Sequence, residues 1–126
     1  MIPLDANSKQ SLVVGPEHTA KHLGSGSVDV LATPMMIALM EAAAVEAVQR
    51  FLPEGWTTVG TKVEVEHMRP TPRGDVVTAE AVLAKIDGRS LDFAVTATDS
   101  AGLIGQGQHR RFIVNLEKFL EKALGK

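Results

Sequence analysis

From Pro34 to about Phe51 the chain is apolar at nearly every position and rich in Ala, Met and Leu. Its polar positions, Glu46, Gln49 and Arg50, share one stripe at about 100° per residue. That pattern predicts a helix buried on most of its circumference. Thr33 is expected to cap it. Pro34 suits the first helical position, where its missing N–H would be unpaired anyway. Pro53-Glu54-Gly55 ends the run. Elsewhere the apolar positions repeat with period two. Residues 10–15 read as a short strand stopped by Gly15-Pro16. Residues 56–69 alternate, with Val59, Thr61, Val63, Val65 and His67 on one face and Lys62, Glu64 and Glu66 on the other. Strands follow over 75–86, 90–99 and 103–114. The first two are joined through Asp87-Gly88, a two-residue hairpin signal. Apolar residues at 116, 119, 120, 123 and 124 return to helical spacing.

The order is strand, long helix, four strands, short helix. A helix with so little polar surface must be wrapped, and a curved antiparallel sheet of about five strands is the only large apolar surface available. The pattern therefore predicts an α+β chain of the hot dog type, one domain over residues 1–126 with a short C-terminal helix. Residues 16–32, which include Gly24-Ser25-Gly26, read as a long loop of the kind that forms lids or binding segments.

Composition narrows the chemistry. Aromatic residues make up 4% of the chain, so aliphatic side chains must build the core. The absence of Cys excludes disulfides and thiolate sites. A formal net charge of −2 argues against a nucleic-acid binder. The longest apolar stretch, Pro34–Met40, falls far short of the roughly 20 residues that span a bilayer. With no basic-then-apolar leader at the start, a cytoplasmic location is the default. A chain of this size buries only about two-thirds of its unfolded surface, so association with a second copy would help it.

Three residues break the pattern. Glu41 projects from the apolar side of the helix, within roughly 40° of Ile37, Val45 and Val48. A desolvated carboxylate costs several kcal/mol, so it must be paired, protonated or facing a wet cleft. His67 continues the apolar face of its strand and points towards the helix, with an ordinary pKa near 6.5 that suits proton transfer. Thr33 either caps the helix or offers a hydroxyl at its positive end. A hydroxyl, a carboxylate and an imidazole are the parts for acyl transfer or ester hydrolysis. Thr33 and Glu41 are about 12 Å apart along the helix, so His67 can sit beside either but not readily beside both. The loop before Thr33 or a partner subunit must close that distance. Other candidates have plainer readings. His18 and His22 lie in a loop and lack a third metal ligand. His109 reads as solvated on its strand, with Arg110 beside it as a weak phosphate contact. Gly105-Gln106-Gly107 reads as a bulge or a close backbone approach.

Ala32–Ala44 and Thr58–Pro72, with Gly107–Phe112 further on, resemble the fluoroacetyl-CoA thioesterase-like family. The resemblance covers roughly residues 10–115. It implies a hot dog fold, usually dimeric, that hydrolyses acyl-CoA thioesters without metal or redox cofactor. The family's catalytic residues fall on Thr33, Glu41 and His67. Its substrate-binding glycine falls on Gly60, and a basic residue that helps hold the acyl part falls on Arg111. The fluoroacetate-specific enzyme carries phenylalanines in the lid before the helix, whereas residues 1–50 here contain no Phe, Tyr or Trp. A short or medium acyl-CoA is therefore the expected substrate. Two rival readings stand beside this one: a hydratase of enoyl or hydroxyacyl thioesters, and a dimeric acyl-thioester binding module without turnover.

Overall fold

The computed structural model describes residues 2–125. Strand β1 (Asn7–Val13) is followed by a 3-10 turn (Pro16–His18), α1 (Ala20–Leu23) and the long helix α2 (Thr33–Gln49). Strands β2 (Trp56–His67), β3 (Val76–Asp87), β4 (Ser90–Asp99) and β5 (Gly102–Asn115) come next, then α3 (Leu116–Ala123). All five strands form one antiparallel sheet in the order β1-β3-β4-β5-β2. The expected hot dog plan holds, with β1 and β2 at the two edges.

β1 starts earlier than its apolar residues suggest. Asn7, Ser8 and Lys9 are polar, yet they pair with Val82, Ala81 and Glu80, because an edge strand needs little apolar surface. The β3–β4 hairpin turns on Gly88-Arg89, closed by the Asp87–Ser90 pair. Gly88 has a φ of 62°, which glycine adopts at no steric cost.

The core is aliphatic apart from Phe93. Met36, Met40, Ala43, Ala44, Ala47 and Val48 of α2 lie against Val77, Ala79, Ala81, Leu83, Leu91, Val95, Ala97 and Ile104 of the sheet. Small residues on both sides let the helix approach closely. Gly105 extends this: a methyl there would stand 2.5 Å from Met36 Sδ and 2.9 Å from the Glu66 carbonyl. The Gly105-Gln106-Gly107 run is thus a close backbone approach, the second of its two expected readings. The opposite stripe of α2, Pro34, Ala38, Ala42 and Glu46, is exposed.

The loop over 16–32 is firmly pinned. Thr19 bridges to Leu31 and Val30 to Pro72, and the Ala32 N–H donates to the His18 carbonyl at 2.9 Å. His18 has a structural partner, since its Nδ1 accepts the Gly15 N–H at 2.9 Å. Among the described residues, no helix is long and apolar enough to cross a membrane.

Candidate active site

β2 does not alternate evenly from end to end. Its pairing with β5 slips between Gly60 and Lys62, which leaves Thr61 as an extra residue. Thr58 and Gly60 face the helix before this bulge, and Val63, opposite the buried His109, does so after it. Val59 and Thr61 therefore do not share the face of Val63, Val65 and His67, which corrects the even alternation expected from sequence. The spacing from Gly60 to His67 is odd, and only an inserted residue lets both point the same way.

Thr33 also departs from expectation. The N-cap is Ala32, and no side chain caps the helix. Thr33 is the first helical residue, and its Oγ1 lies 2.7 Å from His67 Nδ1. The hydroxyl is thus committed to the imidazole and not to a backbone amide. The Met35 and Met36 N–H groups both turn back to the Ala32 carbonyl, and Pro34 has none. Of the first four helical residues, only Thr33 keeps an amide that is not turned back on Ala32.

His67 closes β2. The chain beyond it is anchored by Asp99, which accepts from Arg69 Nη2, the Thr71 hydroxyl and the Ala101 amide, each at 2.8 Å. Burial pushes the Asp99 carboxyl up, but the Ala101 amide, the Thr71 hydroxyl and Arg69 outweigh it and hold the group below its ordinary range. Burial lowers the His67 pKa, with a backbone group of Arg69 opposing. Its Nε2 is shielded from solvent and has no hydrogen-bond partner among the described residues. The ring is therefore a neutral imidazole beside a hydroxyl, the relation of a general base to a nucleophile. Thr33 and His67 line a cleft of about 280 Å³ with Ala20, Val28, Leu31 and Met68.

Glu41 belongs to a second cluster. Its side chain is 40% exposed, on the flank of α2 and not on the deeply buried face. Glu41 Oε2 lies 3.6 Å from Arg111 Nη1 and 4.0 Å from His109 Nε2. A methyl at Gly60 would stand 2.9 Å from Glu41 Oε2 and 3.2 Å from Arg111 Nη1, so only glycine leaves this space open. Arg111 is buried. Its Nε donates to Thr58 Oγ1 at 2.8 Å and its Nη2 to the Thr58 carbonyl at 2.9 Å. Burial pulls the guanidinium below its ordinary range, with Glu41 opposing.

The five residues singled out from sequence thus fall into two groups within one chain. Thr33 pairs with His67, while Glu41, Gly60 and Arg111 converge about two helical turns away. Two further members were not anticipated, Thr58 and His109. His109 is 2% exposed, not solvated as its polar strand suggested. It lies two residues from Arg111 on one strand face, and that spacing was the signal that could have placed it.

Comparison with known proteins agrees with this fold. The sequence profile of the family described as "FlK: Fluoroacetyl-CoA-specific thioesterase" matches residues 14–117. The fluoroacetyl-CoA thioesterase of Streptantibioticus cattleyicolor is 40% identical over 116 residues, covering 87% of this chain and 84% of that protein. A solved structure of the fluoroacetyl-CoA thioesterase FlK superposes with a TM-score of 0.92 at 35% identity, over 100% of this chain and 98% of the other. A thioesterase superfamily member from Thermus thermophilus matches at 0.89 and 31% identity, over 99% and 94% of the two chains. With the family profile matching most of its length and a relative 40% identical over 87% of it, the chain belongs to the fluoroacetyl-CoA-specific thioesterase family.

Proposed function

We propose that this protein hydrolyses short or medium acyl-CoA thioesters to the free acid and CoA, as a cytoplasmic single-domain enzyme that works as a homodimer. The observation that carries the chemistry is the 2.7 Å contact between the Thr33 hydroxyl and a His67 held neutral by burial. Thr33 Oγ attacks the thioester carbonyl and His67 takes its proton. The Thr33 amide at the positive end of α2 faces the developing oxyanion. Collapse of the tetrahedral adduct breaks the C–S bond, and His67 returns the proton to the departing thiolate. A water, deprotonated by Glu41, then attacks the acyl-threonine carbonyl; the C–O bond to Thr33 breaks, the proton held by Glu41 passes to Thr33 Oγ, and the free acid leaves.

Glu41 of the same chain stands about 12 Å along the helix from Thr33, too far for that last step. The free edge of β2 supports a resolution. Antiparallel pairing of two β2 strands centred on Glu64, with the bulged Thr61 left unpaired, sets His67 of one protomer opposite Gly60 of the partner subunit. Each active site then joins Thr33 and His67 to Glu41 and Arg111 of the partner subunit. Val63, apolar and 40% exposed on this edge, is covered by the pairing. The lid segment Gly24–Ser27 carries no aromatic side chain, which favours general short or medium acyl groups over fluoroacetyl.

The test is thiol release from a panel of acyl-CoAs by wild type, Glu41→Gln and His67→Ala. Release by wild type is expected, with kcat/KM at least about a hundredfold lower in each variant. Wild-type rates in both variants would reject the site. Loss of the enone of crotonyl-CoA without free thiol would favour hydration instead, and binding without turnover a carrier module.

A further inference from the structure

His109 is the most buried ionisable group near the site, with its side chain 1% exposed, and the reaction above gives it no step. Its two ring nitrogens have partners that can each play only one part. Nδ1 lies 2.7 Å from the Lys62 carbonyl, which can only accept, so Nδ1 carries the proton. Nε2 lies 3.1 Å from Arg111 Nη1, which can only donate, so Nε2 is bare. The tautomer is thus fixed from both sides. Arg111 in turn has Nε and Nη2 tied to Thr58 and one Nη1 hydrogen tied to His109. The remaining Nη1 hydrogen is left for Glu41 Oε2 at 3.6 Å and for the space that Gly60 keeps open.

We infer that His109 is a positioning residue: as a neutral Nδ1–H imidazole braced on the Lys62 carbonyl, it locks the Arg111 guanidinium so that Nη1 faces Glu41 and the acyl group. Without the Nε2 acceptor, Nη1 is free to rotate towards the carboxylate or out of the site. The charged groups facing the ring are Glu41 from α2 and Arg111 from its own strand. On the β4 side it meets the Phe93 ring, 6.4 Å between centroids, so no second acceptor competes there. The bulge at Thr61 sets the Lys62 carbonyl beside Nδ1, which ties the irregularity of β2 to the aim of Arg111.

This inference rests on the thioesterase reading, and the experiment separates the two. Thiol release is measured for wild type, His109→Leu, His109→Gln, Arg111→Ala and the double variant His109→Leu/Arg111→Ala. The leucine variant should lose about tenfold or more in kcat/KM, since misplacing a positioned group by 1 Å costs on that order or above. Glutamine, whose amide can donate to Lys62 and accept from Nη1, should recover most of the loss. The double variant should be no worse than Arg111→Ala, because His109 acts only through that side chain. Wild-type rates in His109→Leu overturn the inference, and so do losses that multiply in the double variant. The nitrogen-15 shifts of the His109 ring give a reading independent of turnover. A protonated Nδ1, with a bare Nε2 whose shift moves in Arg111→Ala, supports the lock; a protonated Nε2 overturns it. A wild type that releases no thiol rejects the thioesterase reading alone, while the ring shifts still decide the role of His109.

Discussion

A threonine at the start of a helix usually turns its hydroxyl onto a free backbone amide. Here the N-cap position falls one residue earlier, on Ala32, and Thr33 turns to His67 instead. That one-residue offset frees the hydroxyl from capping and turns it to the imidazole, the contact on which the proposed mechanism rests. Both histidines of the site are depressed by burial: His67 against a backbone group of Arg69, and His109 with Arg111 adding to the effect while the Lys62 carbonyl and Glu41 oppose it. The sign is the same for each. A lowered pKa keeps the ring neutral to a lower pH than free imidazole, so the acid limb of kcat/KM should fall with a midpoint below 6.5. The unfolded chain binds protons first as the pH drops below 6.5. Stability is therefore full above that pH and is lost as the pH falls towards the folded values, by about 1.4 kcal/mol per unit of depression. A pH series of initial rates and of thermal midpoints checks both statements, and an acid limb centred above 6.5 contradicts them. Thr33, Glu41 and His67 were legible because each breaks an apolar pattern. His109 was not, because on a strand of mixed polarity only its two-residue spacing from Arg111 marks it as inward.

At the scale of elements, the long helix and all five strands follow from the pattern of the sequence, with only β1 placed a few residues late. What periodicity misses is the bulge in β2, because one unpaired residue reverses every inference about facing beyond it. Thr61 resembles its neighbours in composition, and only the pairing with β5 reveals it as extra. The height of α2 over the sheet depends on a similar local detail. Gly105 lets Met36 approach the strand that carries His109 and Arg111. Gly105→Ala must push Met36 Sδ away from 2.5 Å, and the fixed Glu66 carbonyl leaves the new methyl no room to retreat. We expect a loss of about 1–3 kcal/mol, read as a lower urea midpoint with an unchanged slope. Because Met36 is one helical turn from Thr33, the same shift should lengthen the Thr33–His67 contact. The variant should then lose kcat at temperatures where it remains folded. A variant as stable as wild type would show that the helix has slack at this point.

For the whole molecule, one chain holds two halves of a site that do not meet. Thr33 and His67 lie at one end of α2 and β2; Glu41, Gly60 and Arg111 lie further along both. The proposed homodimer resolves this, because an isologous interface would bring each half to face the other half on the second copy. Sequence left open whether the loop or a partner closes the distance. The loop is bridged back to Leu31 and Pro72, which favours the partner. This makes a prediction that activity measurements on mixed subunits can decide. Thr33→Ala and Glu41→Gln homodimers should each be nearly inactive, because every site in them lacks one member. After mixing and exchange of subunits, about half the dimers are mixed. Each mixed dimer has one site that lacks both members and one that lacks neither, so the mixture should recover about a quarter of the wild-type rate. If Glu41 instead serves Thr33 of its own chain, every site in every dimer keeps one defect and no activity returns. Light scattering on the same samples shows whether dimers are present, so failure to pair is told apart from a site complete within one chain.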